Sequence, residues 1–393
     1  MAIRFDVQRK IVLVVLAVVA IAFAWILEAT QEIREVPGYA VKKRAADLAA
    51  DAYAALEDYY VSEIGPLTRD QVRRDPGRTC LIGTDEGGSS YTLLMNAGGS
   101  ATAKQRAINP NFAAILVGYF QKLGLGPGDP VAVALSGSYP GMNVNLYAAM
   151  TAMELDPTVI TSLAGSRYGA TRADFTWLDM ERVLAERGLM EIRSAAASPG
   201  GAQDRGETLS EEGLQAVWDA IERNGVQAIR PDDLDDSIDT RMRVYRKEAG
   251  DERYRAYVNL GGATPSLGIS FTEARDLFDL STGLHRNLWR AASEWPRHGT
   301  MMHMASEGTP VIHIGDTQSL AVHYGLSTRH RNLERIPEVG EGTVLRAAAY
   351  KPSVALILLA IYVLLLIVLV LPEIRQRIFG KPADMRVPVG TGD

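Results

Sequence analysis

The chain has 393 residues, of which 22% are charged and 47% hydrophobic, and a net charge of −6. That length holds two ordinary domains or one large one, and the composition suits a globular protein with some membrane content. The negative balance argues against a general nucleic-acid binder, and the single cysteine, Cys80, excludes an internal disulfide and any multi-cysteine metal site.

After a short N-terminal segment (1–10) comes "IVLVVLAVVAIAFAWIL", residues 11 to 27, uninterrupted by charge and preceded by Arg4, Arg9 and Lys10. Spanning a bilayer core takes about 20 apolar residues, so 11–28 is an adequate transmembrane helix. A cleaved signal peptide competes with that reading, because "AFA" at 22–24 resembles a cleavage site. The apolar run continues through Trp25, Ile26 and Leu27, which favours a retained anchor. Residues 29–77 carry apolar positions at helical spacing (Val41, Ala45, Leu48, Ala52, Leu56, Tyr59) and stop at Gly65-Pro66. This is an amphipathic helix that packs on the domain or forms a stalk.

Residues 78–345 read as one α/β domain. "TCLIGT" (79–84) and "SSYTLLM" (89–95) are short strand candidates around "DEGG", and 96–110 lacks periodicity and reads as a loop. Asn109-Pro110 opens a helix that Gly124 ends. "PVAVAL" (130–135) is continuously apolar, as a strand covered on both faces is. A glycine-containing corner follows, then a helix to about Glu154 and a second apolar strand, "TVITSL" (158–163). This βαβ unit implies a parallel pair. Residues 173–188 read as a helix capped by Asp174, and "GLMEIRSAA" as a third strand. A linker at 198–210 leads to a helix opened by a capping box of Thr208 and Glu211. "VQAIR", "RAYVNL" and "TPVIHIGD" are further strands, and "TQSLAVHYGL" is a short helix. The alternation predicts a mostly parallel, Rossmann-like sheet. "VAVALSGSYPG" and "AYVNLGGATPS" echo one another, each placing Gly and Ser or Thr directly after an apolar strand.

The last apolar run, within 353–372, is followed by Arg375, Arg377, Lys381 and Arg386 on a tail of residues 373–393. The basic flank puts that tail in the cytoplasm. Two spans put both termini on one side, so the large domain is expected to be extracytoplasmic (periplasmic) on two inner-membrane anchors, with the lipid bilayer as a partner.

In open α/β sheets, ligands sit at the carboxyl ends of strands, where helix N-termini present free N–H groups. Ser136, Gly137 and Ser138 lie at such an end, and Asn143 and Asn145 follow in the helix. The corner departs from the G-x-S-x-G elbow and lacks the P-loop ending, so a cradle for a carboxylate or phosphate is the preferred reading, beside a plain turn and a catalytic Ser138. A second corner, Gly261 to Ser266, follows the same logic. Lys104 and Arg106 precede the first corner, and Arg167 and Arg172 follow the neighbouring strand, where they would line an approach for anions. All six histidines fall between His285 and His330. Their spacing matches no zinc motif, and His313, inside a strand, reads as a buried hydrogen-bonded residue. Neither a metal nor a cofactor is expected.

"LSGSYPGMN", "SLAGSRYGATRADFTWLDME", "AKQRAINPNFAA" and "AVHYGL" together resemble the poly-γ-glutamate system protein family, over roughly residues 78 to 345. The resemblance implies an accessory protein encoded beside a membrane ligase. It would bind or guide the polyanionic, capsule-like polymer during synthesis and export, with poly-γ-glutamate and the membrane subunits of the synthase as partners. It carries over no catalytic residues. On that implication Ser136, Gly137, Ser138 and Asn143 receive a carboxylate, and Lys104, Arg167 and Arg172 line the approach. Two other readings stay open. One is a hydrolase or transferase using Ser138 with a histidine base, and the other a non-catalytic assembly factor of the synthase.

Overall fold

The computed structural model describes residues 2–84, 88–261, 263–278, 280–329 and 333–379. It divides into two compact units, residues 35–346 and the two chain ends together.

The unit at residues 35–346 is built on a seven-stranded sheet. Its strands are β1 (Pro130–Ser136), β2 (Asp156–Ser162), β3 (Ser194–Ser198), β4 (Gln227–Ala228), β5 (Ala256–Leu260), β6 (Gly283–His285) and β7 (Val311–Ile314). They lie in the order β4-β3-β2-β1-β5-β7-β6. Every pairing is parallel except β6 with β7. The chain starts at the centre with β1, steps outward to β4, then returns to the other side of β1 with β5. Strand order therefore reverses between β1 and β5. The two echoing sequences are these adjacent strands, with Ala134 opposite Asn259.

Both faces of the sheet are covered, which explains why its strands lack polar alternation. Val131, Val133 and Leu135 face one core, and Ala132 and Ala134 face the other. Helices α1 (Tyr39–Tyr59), α2 (Ala101–Ala107), α3 (Asn111–Lys122), α4 (Pro140–Ala152), α5 (Trp177–Glu186) and α6 (Glu211–Arg223) contribute to the first core or its rim. Helices α7 (Leu234–Ala249), α8 (Thr264–Leu267) and α9 (Thr300–Ser306) cover the second face. The last helix of the unit is α10 (Thr317–Tyr324). Helix α1, expected either to pack on the domain or to form a stalk, buries Ala45, Ala49, Ala52, Tyr53 and Leu56 in the first core.

Several expectations are corrected. "TCLIGT" is buried but makes no strand, since Arg78 and Cys80 adopt positive φ (59° each) and break extended pairing. "SSYTLLM" contributes only its last residue, in the strand Met95–Ala97. Most of the "DEGG" turn between them lies outside the described residues. Residues 96–110 are not all loop: Ser100 accepts a hydrogen bond from Ala103 N and starts α2. Helix α5 is not capped by Asp174, which pairs with Arg172; Thr176 and Asp179 form its capping box. Ser210, not Thr208, caps α6.

The second unit holds the helices Ala2–Ala29 and Pro352–Phe379, with the Phe23 and Tyr362 rings meeting edge to face at 6.3 Å. Their segments Lys10–Ala29 and Pro352–Leu369 each have a mean hydropathy of 2.9 and are long and apolar enough to cross a membrane. Side chains such as Ile21, Trp25 and Leu356 are exposed, where a packed helix would bury them.

Candidate functional site

A crevice of about 530 Å³ opens at the carboxyl ends of the parallel strands, where strand order reverses. The first corner lines it through Ser136, Ser138 and Tyr139, and the second through Gly261, Ala263 and Thr264 (Gly262 lies outside the described residues). The two corners thus face one space. They also touch: a Cβ on Gly261 would sit 2.5 Å from Ser136 Oγ. The walls extend along Asn96–Ser100 and Gly200–Ala202 on one side and Ser270–Thr272 on the other. Among the described residues that line it, Lys104 carries the only charge, and the rest offer hydroxyls, glycine backbone and a few apolar groups.

The first corner is held backbone to backbone. Gly137 N donates to Ser162 O at 2.9 Å, and its carbonyl accepts from Ala170 N at 2.7 Å. A Cβ on Gly137 would fall on the carbonyl oxygen of Leu163, and one on Gly165 would meet Gly137 C at 2.7 Å. Glycine is required here by close approach, not by φ. The corner and the 163–170 segment therefore form one rigid assembly.

Lys104 enters from α2 and is 3% exposed. Its Nζ donates to the Ser138 carbonyl, lies 2.7 Å from Ser166 Oγ and sits 3.6 Å from the centroid of the Tyr139 ring. No carboxylate pairs with it among the described residues, and burial lowers its pKa to about 7 from the ordinary 10.5. Ser166 N donates to Ser138 Oγ at 3.0 Å, joining the two serines.

The other expected site residues are placed differently. Asn143 is fully buried and does not line the crevice; its Nδ2 donates to Ser136 O at 3.0 Å, fixing the strand end to α4. Asn145 likewise donates to Ala107 O and Gly141 O. Arg167 donates to Ser90 Oγ at 2.7 Å and stacks on Tyr91, and Arg172 holds Asp174 and Thr84 O. Both arginines are spent on loop structure outside the crevice walls. Arg106 bonds Thr328 O, Thr317 and Gln318. Ser138 has no histidine partner among the described residues. His313 is buried, its Nδ1 is 2.9 Å from Asn259 Nδ2, and burial lowers its pKa to about 3. His330 lies outside the described residues. No cluster of described residues could hold a metal.

Residue-level reading missed Ser166 and the Gly98–Ser100 and Gly200–Thr208 walls. A signal for Ser166 was present. β1 ends in "LSGSYPG" (135–141), and β2 is followed by "LAGSRYG" (163–169), the same L-x-G-S-x-x-G run on adjacent strands. The Gly200–Thr208 wall stands on a buried network that isolated residues do not announce. Arg241, 1% exposed, bonds Asp204, Ser162 and Ser198, and Ser237 donates to Asp204 at 2.5 Å.

Compared with protein-family models, curated proteins and solved structures, the chain matches none.

Proposed function

We propose that this is a membrane-anchored binding protein of Rossmann-like fold whose crevice receives an extended, carboxylate-bearing chain, with poly-γ-glutamate as that chain. The two apolar helices serve as anchors, and the large unit faces away from the cytoplasm. The observation that carries the reading is the crevice itself. It lies where ligands collect in open α/β sheets, both corners open into it, and no acidic side chain stands among its described lining residues in a chain of net charge −6. A polyanion entering there meets hydroxyl and backbone donors without like-charge repulsion. Its family resemblance supports the choice of polymer.

Thr208 and Thr272 are exposed on opposite walls. Full-length protein in nanodiscs, titrated with fluorescent poly-γ-glutamate and read by anisotropy, should bind. Thr208→Asp with Thr272→Asp should weaken that binding by roughly 3- to 10-fold, at about 0.5 kcal/mol per exposed like charge, with the difference shrinking in high salt. Absence of binding by the unmodified protein, or equal binding by both at low salt, would refute the reading.

A further inference from the structure

We propose that Ser166 and Lys104 form a serine–lysine pair that cleaves or transfers acyl groups at amide bonds of a chain seated in the crevice. The substrate class rests on the binding reading above; the pair itself rests on geometry.

Three electron-rich neighbours surround Lys104 Nζ: the Ser138 carbonyl, the face of the Tyr139 ring and Ser166 Oγ at 2.7 Å. A neutral amine has two N–H groups and one lone pair. The carbonyl accepts one N–H and the ring face lies under the other, which leaves the lone pair for the proton of the Ser166 hydroxyl. Burial, with no carboxylate partner among the described residues, supplies the neutral amine near pH 7. Ser138 lacks this arrangement, since its Oγ accepts the Ser166 N–H and only its carbonyl meets the lysine. Ser166 is half-buried on the crevice wall, open to a ligand. Its backbone is fixed by pairing with Ala97 and by the contact of Gly165 on Gly137. A nucleophile with a positioned base and an open approach is the required constellation, and serine–lysine is one of its known forms.

In the first step Ser166 Oγ gives its proton to neutral Nζ and attacks the amide carbonyl carbon. A C–O bond forms, and the carbonyl π pair moves to oxygen. The adduct collapses, the C–N bond breaks, and the Lys104 ammonium passes its proton to the departing amine. An ester on Ser166 remains. Water, or the amino group of an acceptor, then attacks the ester carbonyl while Lys104 takes its proton. The ester C–O bond breaks, and Oγ recovers the proton as a free acid or a new amide leaves.

The test uses the full-length protein in nanodiscs with a fluorophosphonate probe, mapped by mass spectrometry. The label should fall on Ser166. Its rate should rise with pH about a midpoint near 7 and level off above, and should drop at least about 100-fold in Lys104→Met. Unmodified protein should shorten poly-γ-glutamate on size-exclusion chromatography, and Ser166→Ala should bind the polymer but leave it intact. Labelling elsewhere, no labelling, or shortening that survives Ser166→Ala overturns the pair. If Ser166→Ala fails to fold by circular dichroism, Ser166→Cys replaces it: its thiol should be alkylated with a midpoint below about 8.5, and an ordinary midpoint overturns the pair. Labelled Ser166 without polymer binding would leave the pair standing and remove the polymer; polymer binding without labelling would do the reverse.

Discussion

Lys104 is an amine taken out of water with no opposite charge to meet it among the described residues, and that has a cost in stability. Its folded pKa, about 7, lies below the ordinary 10.5 of an unfolded chain. Between those values the unfolded state holds the proton and the folded state does not, so stability should climb as pH rises from 7 to 10.5. The full span corresponds to roughly 5 kcal/mol, at 1.36 kcal/mol per unit. Lys104→Met removes the charge but leaves the Ser138 carbonyl without its donor, which returns about 1–3 kcal/mol of the gain. The expected outcome is a protein more stable by roughly 2–4 kcal/mol at pH 7 with a flatter pH dependence above it. Urea midpoints at pH 7 and pH 10 check both. A substitution that strengthens the fold while abolishing labelling of Ser166 marks a residue kept for chemistry. Equal or lower stability in Lys104→Met at pH 7 would mean that the lysine is structural.

At the scale of elements, the corner after β1 acts as one piece with the 163–170 segment. Gly137→Ala places a methyl group on the Leu163 carbonyl, and neither backbone can yield without disturbing the β1–β2 register. A loss of roughly 1–3 kcal/mol is expected, together with loss of ligand binding, whereas Gly126→Ala meets open space and should stay within about 0.5 kcal/mol. Denaturant midpoints of the two variants decide it; a Gly137→Ala protein as stable as the parent would show that the corner has slack. The βαβ core was legible for a related reason. Strands buried on both faces are written as unbroken apolar runs, so β1, β2, β5 and β7 were each found within two residues. What failed were short elements set by one contact. Helix α2 depends on the Ser100 cap and on nothing periodic, and it carries the lysine into the crevice. Of the residues expected to form an anion cradle, Ser136 and Ser138 line the crevice with Lys104. Arg167 and Arg172 are not among its lining residues, because charge near a strand end in sequence says nothing of which way a side chain turns: Asp174 bonds Arg172 and Ser90 bonds Arg167. Ser166 was passed over because a lone serine has no pattern until the neighbouring strand repeats it.

At the scale of the whole molecule, everything proposed for the crevice depends on which side of a membrane it faces. Two helices of mean hydropathy 2.9 bracket the unit, so if both cross, the chain ends share a side and the crevice has the other. Arg375, Arg377, Lys381 and Arg386 after the second apolar segment, against Arg346 and Lys351 close before or at its start, are the basis on which the proposal puts the ends in the cytoplasm. The first apolar run is less decisive, having Arg4, Arg9 and Lys10 before it and Arg34, Lys42, Lys43 and Arg44 after. A protein with one buried cysteine makes the question testable. Cys80→Ala leaves no thiol, and single cysteines can then be placed at Glu212, exposed on α6, and at Asp6, before the first apolar run. A membrane-impermeant maleimide applied to intact spheroplasts should label Glu212→Cys at once and Asp6→Cys only after lysis. The reverse pattern would put the crevice in the cytoplasm, where it would meet a growing chain before export. Labelling of both in intact cells would mean that the first helix does not span, and no label at Asp6→Cys even after lysis would return the first apolar run to the signal-peptide reading.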